Sequence, residues 1–69
     1  MPTASYLVTG MTCQHCVHAV TEEVSAVAGV SEVTVDLDSG RLTVVSSAEV
    51  PVAEIATAVD EAGYGLAPA

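Results

Sequence analysis

The chain contains no lysine, and Arg41 is its one strongly basic side chain. Nine acidic residues stand against it, for a formal net charge of -8 at pH 7. A protein that binds nucleic acid by neutralising phosphates needs clustered Lys and Arg, so that class is excluded. The same deficit excludes attraction to an anionic membrane surface. Phe and Trp are missing as well, and Tyr occurs twice, which leaves no aromatic platform for stacking bases. No stretch approaches the roughly 20 apolar residues of a membrane span. The opening "MPTASYLVTG" lacks the charged and apolar segments of a signal peptide. These absences predict a cytoplasmic protein with no membrane insertion, in a compartment where thiols stay reduced. The acidic surface suits a basic partner face or plain solubility.

What is present is modest. The chain has 69 residues, 51% of them hydrophobic, and reads as one small domain spanning 1–69, with no linker and no low-complexity segment. A chain this short buries roughly 60% of the surface its unfolded form exposes, so its core must be simple.

Ser5–Thr9 ("SYLVT") is rich in strand-favouring residues and is closed by Gly10. Val17, Val20, Val24 and Val27 then fall on one stripe at helical spacing, with Glu22 and Glu23 on other faces and Gly29 as the expected stop. Val33, Val35 and Leu37 alternate with Glu32, Thr34 and Asp36, the pattern of a half-buried strand. Asp38–Gly40 is turn chemistry, and Leu42 and Val44 resume the alternation, so Arg41–Ser46 completes a hairpin. Pro51 suits a helix start. Val52, Ile55, Ala56 and Val59 form the expected buried stripe, and Gly63 the stop. Tyr64–Ala67 is a short last strand with a loose tail after it. The order βαββαβ predicts an α+β, ferredoxin-like sandwich: a four-stranded antiparallel sheet with two helices on one face.

Both cysteines and both histidines fall between Cys13 and His18. Cys13 and Cys16 sit where the first loop meets the first helix, and their i, i+3 spacing brings the sulfurs to one side. Helix N-terminal N–H groups and the dipole favour thiolate there. Two soft thiolates without a loop carboxylate suit a soft ion of low coordination, foremost Cu(I). A structural zinc site wants four ligands in closed geometry, and histidines this close to the cysteines do not wrap readily round one ion. A bare C-x-x-C divides between metal and redox chemistry. The short βαββαβ frame favours metal, because a thioredoxin-like fold needs a longer chain.

"GMTCQHC" followed by "VHAVTEEV", with "VAEIATAVDEAGY" near the end, resembles the heavy-metal-associated domain family, and within it the bacterial cytosolic copper chaperones. The resemblance spans essentially the whole chain. It implies a carrier, not an enzyme, that binds Cu(I) through Cys13 and Cys16. It further implies transfer by thiolate exchange to a copper-transporting P-type ATPase, and it leaves open a copper-bridged homodimer. Alternatives are a detached metal-binding domain, a carrier of Zn²⁺ or Hg²⁺, and a small thiol oxidoreductase. Three neighbours of the ligands are of interest. Met11 is expected to fill space beneath the loop. His15 is either a solvated loop residue or a tuner of the thiolates and weak third ligand. Tyr64 is either a half-buried amphipathic residue or, as the resemblance implies, a hydroxyl beside the sulfurs. His18 is expected on the outer face of the helix.

Overall fold

In the computed structural model, which describes residues 2–68, the elements run β1 (Thr3–Thr9), α1 (Gln14–Ser25), β2 (Val30–Val35), β3 (Arg41–Ser46), α2 (Val52–Glu61) and β4 (Gly65–Pro68). The four strands form one sheet in the order β2-β3-β1-β4, every pairing antiparallel. The β2–β3 hairpin closes as its sequence requires. Asp36 Oδ1 accepts the Asp38 N–H at 3.1 Å, and the Gly40 N–H reaches the Asp36 carbonyl at 2.8 Å. Gly40 has φ +74 and sits so close to the Val8 carbonyl that a Cβ would lie 2.9 Å from it.

Alternating positions of the two central strands supply Val8, Leu42 and Val44 to the core, and the helices supply Val20, Val24, Ile55, Ala58 and Val59. Because these residues form one cluster, both helices lie on one face of the sheet. Val20, Val24, Leu42, Ile55 and Val59 are almost completely sealed from solvent.

Several bounds and one buried stripe differ from the sequence expectation, among them β2, which ends at Val35 and leaves Leu37 outside the strand. β1 begins at Thr3, two residues early, because Thr3 and Ala4 find partners in Val45 and Val44 of β3. α1 ends at Ser25, ahead of Gly29. Its last turn tightens where the Ala26 N–H is shared between the Glu22 and Glu23 carbonyls, and Val27 bonds to Val24; Val27 therefore packs from beyond the helix. In α2 the buried set is Ile55, Ala58 and Val59, and Val52 is 56% exposed because the first turn overhangs the edge of the core. β4 reaches Pro68, opposite Tyr6, and the remaining tail residue, Ala69, lies outside the described residues.

Candidate metal centre

The loop that carries the cysteines leaves β1 at Gly10 and enters α1 at Cys13, whose extended backbone (φ -158, ψ 174) makes it the N-cap. Its carbonyl accepts the N–H groups of Cys16 at 3.0 Å and Val17 at 3.3 Å, which closes the first helical turn. That turn holds no acidic residue, so nothing competes with a thiolate for the positive end of the helix. The two sulfurs are 3.8 Å apart and both thiols are free, a separation far beyond the roughly 2.05 Å of a disulfide.

The two cysteines differ in exposure. Cys13 is exposed, whereas Cys16 is 8% exposed and begins the buried stripe that continues through Val20 and Val24. At spacing i, i+4, i+8 the true stripe of α1 includes a cysteine, which the valine pattern concealed.

Cys16 is also the better-furnished thiol. Its pKa falls from 9.0 to about 6, first through hydrogen bonding from the Thr12 backbone, then from the Tyr64 hydroxyl, the Cys13 backbone and the Thr12 hydroxyl, against a smaller opposing effect of burial. Thr12 Oγ1 lies 3.7 Å from Cys16 Sγ. The pKa of Tyr64 rises for the reciprocal reason: its proton is held by the hydrogen bond to Cys16, with burial and the negative charge of the two thiolates adding to the effect.

Tyr64 reaches this place through the end of α2. Gly63 adopts φ +95, its N–H bonds to the Asp60 carbonyl at 2.9 Å, and the Tyr64 N–H returns to Val59 at 3.1 Å. This is the glycine-dependent reversal that ends many helices, and here it hands Tyr64 back toward the first loop. The ring packs over Gly10, where a Cβ would touch Tyr64 Cδ1 at 3.5 Å. Met11 is partly buried against the core, as a floor to the loop requires. His15 and His18 are exposed. Among the described residues no group of three or more His, Cys, Asp or Glu side chains gathers around a point that could hold an ion. Sequence reasoning did not single out Thr12; its one signal was a hydroxyl four positions before Cys16.

Residues 5–65 match the heavy-metal-associated domain family. The chain belongs to that family. Among curated relatives of this heavy-metal-associated domain, the copper chaperone CopZ of Bacillus subtilis (strain 168) is 46% identical over 61 residues, covering 87% of this chain and 88% of its own. Solved structures agree in fold. A CopZ metallochaperone superposes with a TM-score of 0.88 at 29% identity, over 94% of this chain and 98% of that one. A copper-binding domain from HMA7, a P-type ATPase, gives 0.88 at 31% identity, over 96% and 90%. Among the described residues no helix is long and apolar enough to cross a membrane.

Proposed function

We propose that this heavy-metal-associated domain is a copper chaperone that binds Cu(I) through Cys13 and Cys16 and passes it by thiolate exchange to a metal-binding domain of a copper-transporting P-type ATPase. The observation that carries the reading is the thiol pair, 3.8 Å apart at the start of α1, with no third ligand-bearing group gathered around it among the described residues. Two thiolates suit a soft monovalent ion better than zinc, which would need outside ligands to complete its shell. The similarity to CopZ of Bacillus subtilis and to the copper-binding ATPase domain supports the metal and the partner class.

The geometry suggests how the ion is released. Cys13 and Cys16 would hold the ion between their thiolates, with the side toward exposed Cys13 open to a partner. An incoming thiolate meets the ion on the side of exposed Cys13 and forms a three-sulfur intermediate. Cys13 then dissociates, and Cys16, buried and hydrogen-bonded, lets go last. No bond in an organic substrate changes, so the process is transport of the ion as cargo.

The test is Cu(I) titration against a competing chelator. Wild type is expected to compete as a one-ion dithiolate site, and Cys13→Ser or Cys16→Ser each to lose tight binding. A double serine variant that retains wild-type affinity overturns the site. Mixing the loaded chain with an ATPase metal-binding domain and measuring copper on each after separation tests the transfer; no movement overturns the partner.

A further inference from the structure

The helical layer has a second feature, at the end remote from the thiols. The last turn of α1 and the first turn of α2 meet across an open groove of about 390 Å³. Its lining is mostly apolar, with half-buried Val27 and buried Ala58 beside exposed Ala28 and Ala53, and it includes the carboxylates of Glu23 and Glu54. Val52, 56% exposed, lies beside it on α2. Ten residues of helix rise separate Glu23 from Cys13, about 15 Å along the axis, so an occupant here leaves the metal loop uncovered.

The charges on the α1 side of this groove run against local preference, whereas Glu54 lies in the first turn of α2, a helix end that favours it. A helix C-terminus carries a partial negative charge and favours cations in its last turn. The last turn of α1 has no basic residue and instead holds Glu22 and Glu23, both exposed. An apolar lining flanked by carboxylates, with no basic side chain among the lining residues, is complementary to an aliphatic stem that ends in a cation. The occupant cannot readily be a second copy, because each chain brings a net charge of -8 and one strong cation, Arg41. That arginine begins β3, opposite Leu7 in the sheet. Nucleic acid and anionic membrane are repelled by the same charge.

We infer that the groove between the end of α1 and the start of α2 docks a segment of another protein that presents arginine or lysine beside apolar side chains. The apolar lining takes the aliphatic stems and apolar neighbours, while Glu23, Glu54 and the carbonyl end of α1 take the charge. The site works independently of Cys13 and Cys16, so a chain can be held by this face while its copper is exchanged at the other.

The test titrates the isotopically labelled full chain with a short capped peptide that alternates arginine with leucine. A second peptide with glutamine in place of arginine serves as control. Amide shifts are expected to centre on 26–28 and 53–58, and the E23Q/E54Q double variant to bind at least about tenfold more weakly, with unchanged far-ultraviolet dichroism and unchanged Cu(I) affinity. The variant Thr57→Arg places a guanidinium at the groove from within and should weaken the peptide similarly. Four results overturn the inference. These are shifts spread evenly over Asp36, Asp38, Asp60 and Glu61; undiminished binding by E23Q/E54Q; equal binding of the glutamine peptide; and a self-associated dimer that E23Q/E54Q dissolves, which would make a second copy the occupant.

Discussion

The sharpest consequence of the site geometry concerns the Cys16 thiol before any metal arrives. With a pKa of about 6, Cys16 carries about ten thiolates per thiol at pH 7; an undisturbed thiol at 9.0 carries about one per hundred. The thiolate fraction is therefore roughly 90-fold higher, and a metal meets an anion ready to bind instead of a proton to displace. Tyr64→Phe removes the second-largest cause of the shift and keeps the largest, the Thr12 backbone. The midpoint is therefore expected to move upward without reaching 9.0. The assay is thiolate absorbance near 240 nm followed against pH in the reduced, metal-free protein, with Cys13→Ser isolating the Cys16 signal. A wild-type midpoint near 9, or a Tyr64→Phe midpoint that does not move, refutes the reasoning. Linkage gives a second readout with a definite sign. Because the folded-state pKa of Cys16 is depressed, its contribution to stability is complete above 9.0 and is lost as pH falls through about 6. Tyr64 acts at the other end: its raised pKa gives a contribution present below 10.0 and lost as pH rises beyond it. The stability of wild type relative to Cys16→Ser should therefore decline on acidification across the lower window.

The remaining predictions concern the frame that holds the site. Ile55→Ala, at 1% exposure, is expected to cost about 2–5 kcal/mol in urea unfolding. Val52→Ala, one turn away and 56% exposed, should stay within about 0.5 kcal/mol; equal effects would contradict the assignment of the α2 stripe. Gly40→Ala combines φ +74 with a Cβ 2.9 Å from the Val8 carbonyl and should destabilise by about 1–3 kcal/mol, read as a lowered thermal midpoint. A neutral Gly40→Ala would show that the turn can rearrange.

Much of the architecture was legible along the chain because its local signals agree. Alternation through Val33 and Val35, the turn at Asp38–Gly40, and the resumed alternation at Leu42 and Val44 specify one hairpin and its inward face, as observed, whereas Leu37, expected on the same face, falls beyond the end of β2 and outside the core cluster. The six elements and their order follow from such signals, and so does the placement of Cys13 and Cys16 at a helix start. Element ends were less legible. Val52 and Val27 satisfy helical periodicity as well as Ile55 and Val24 do, and periodicity cannot say where the opposing layer stops.

The sequence by itself determined the composition of the site: two thiols at i, i+3, a glycine and a methionine before them, and almost no cation to soften their charge. Spacing within one helical turn is a local property, so no folding was needed to read it. The inequality of the two thiols required the tertiary structure. Cys16 is buried because α1 lies on the sheet with that face inward, and its lowered pKa depends partly on Tyr64, which lies 48 positions further along the chain. The strand order sets β1 beside β4, and the reversal at Gly63 turns Tyr64 toward the loop that leaves β1. That contact is a product of topology. The groove between the helix ends has the same origin, since only packing brings Glu23 and Glu54 to one groove.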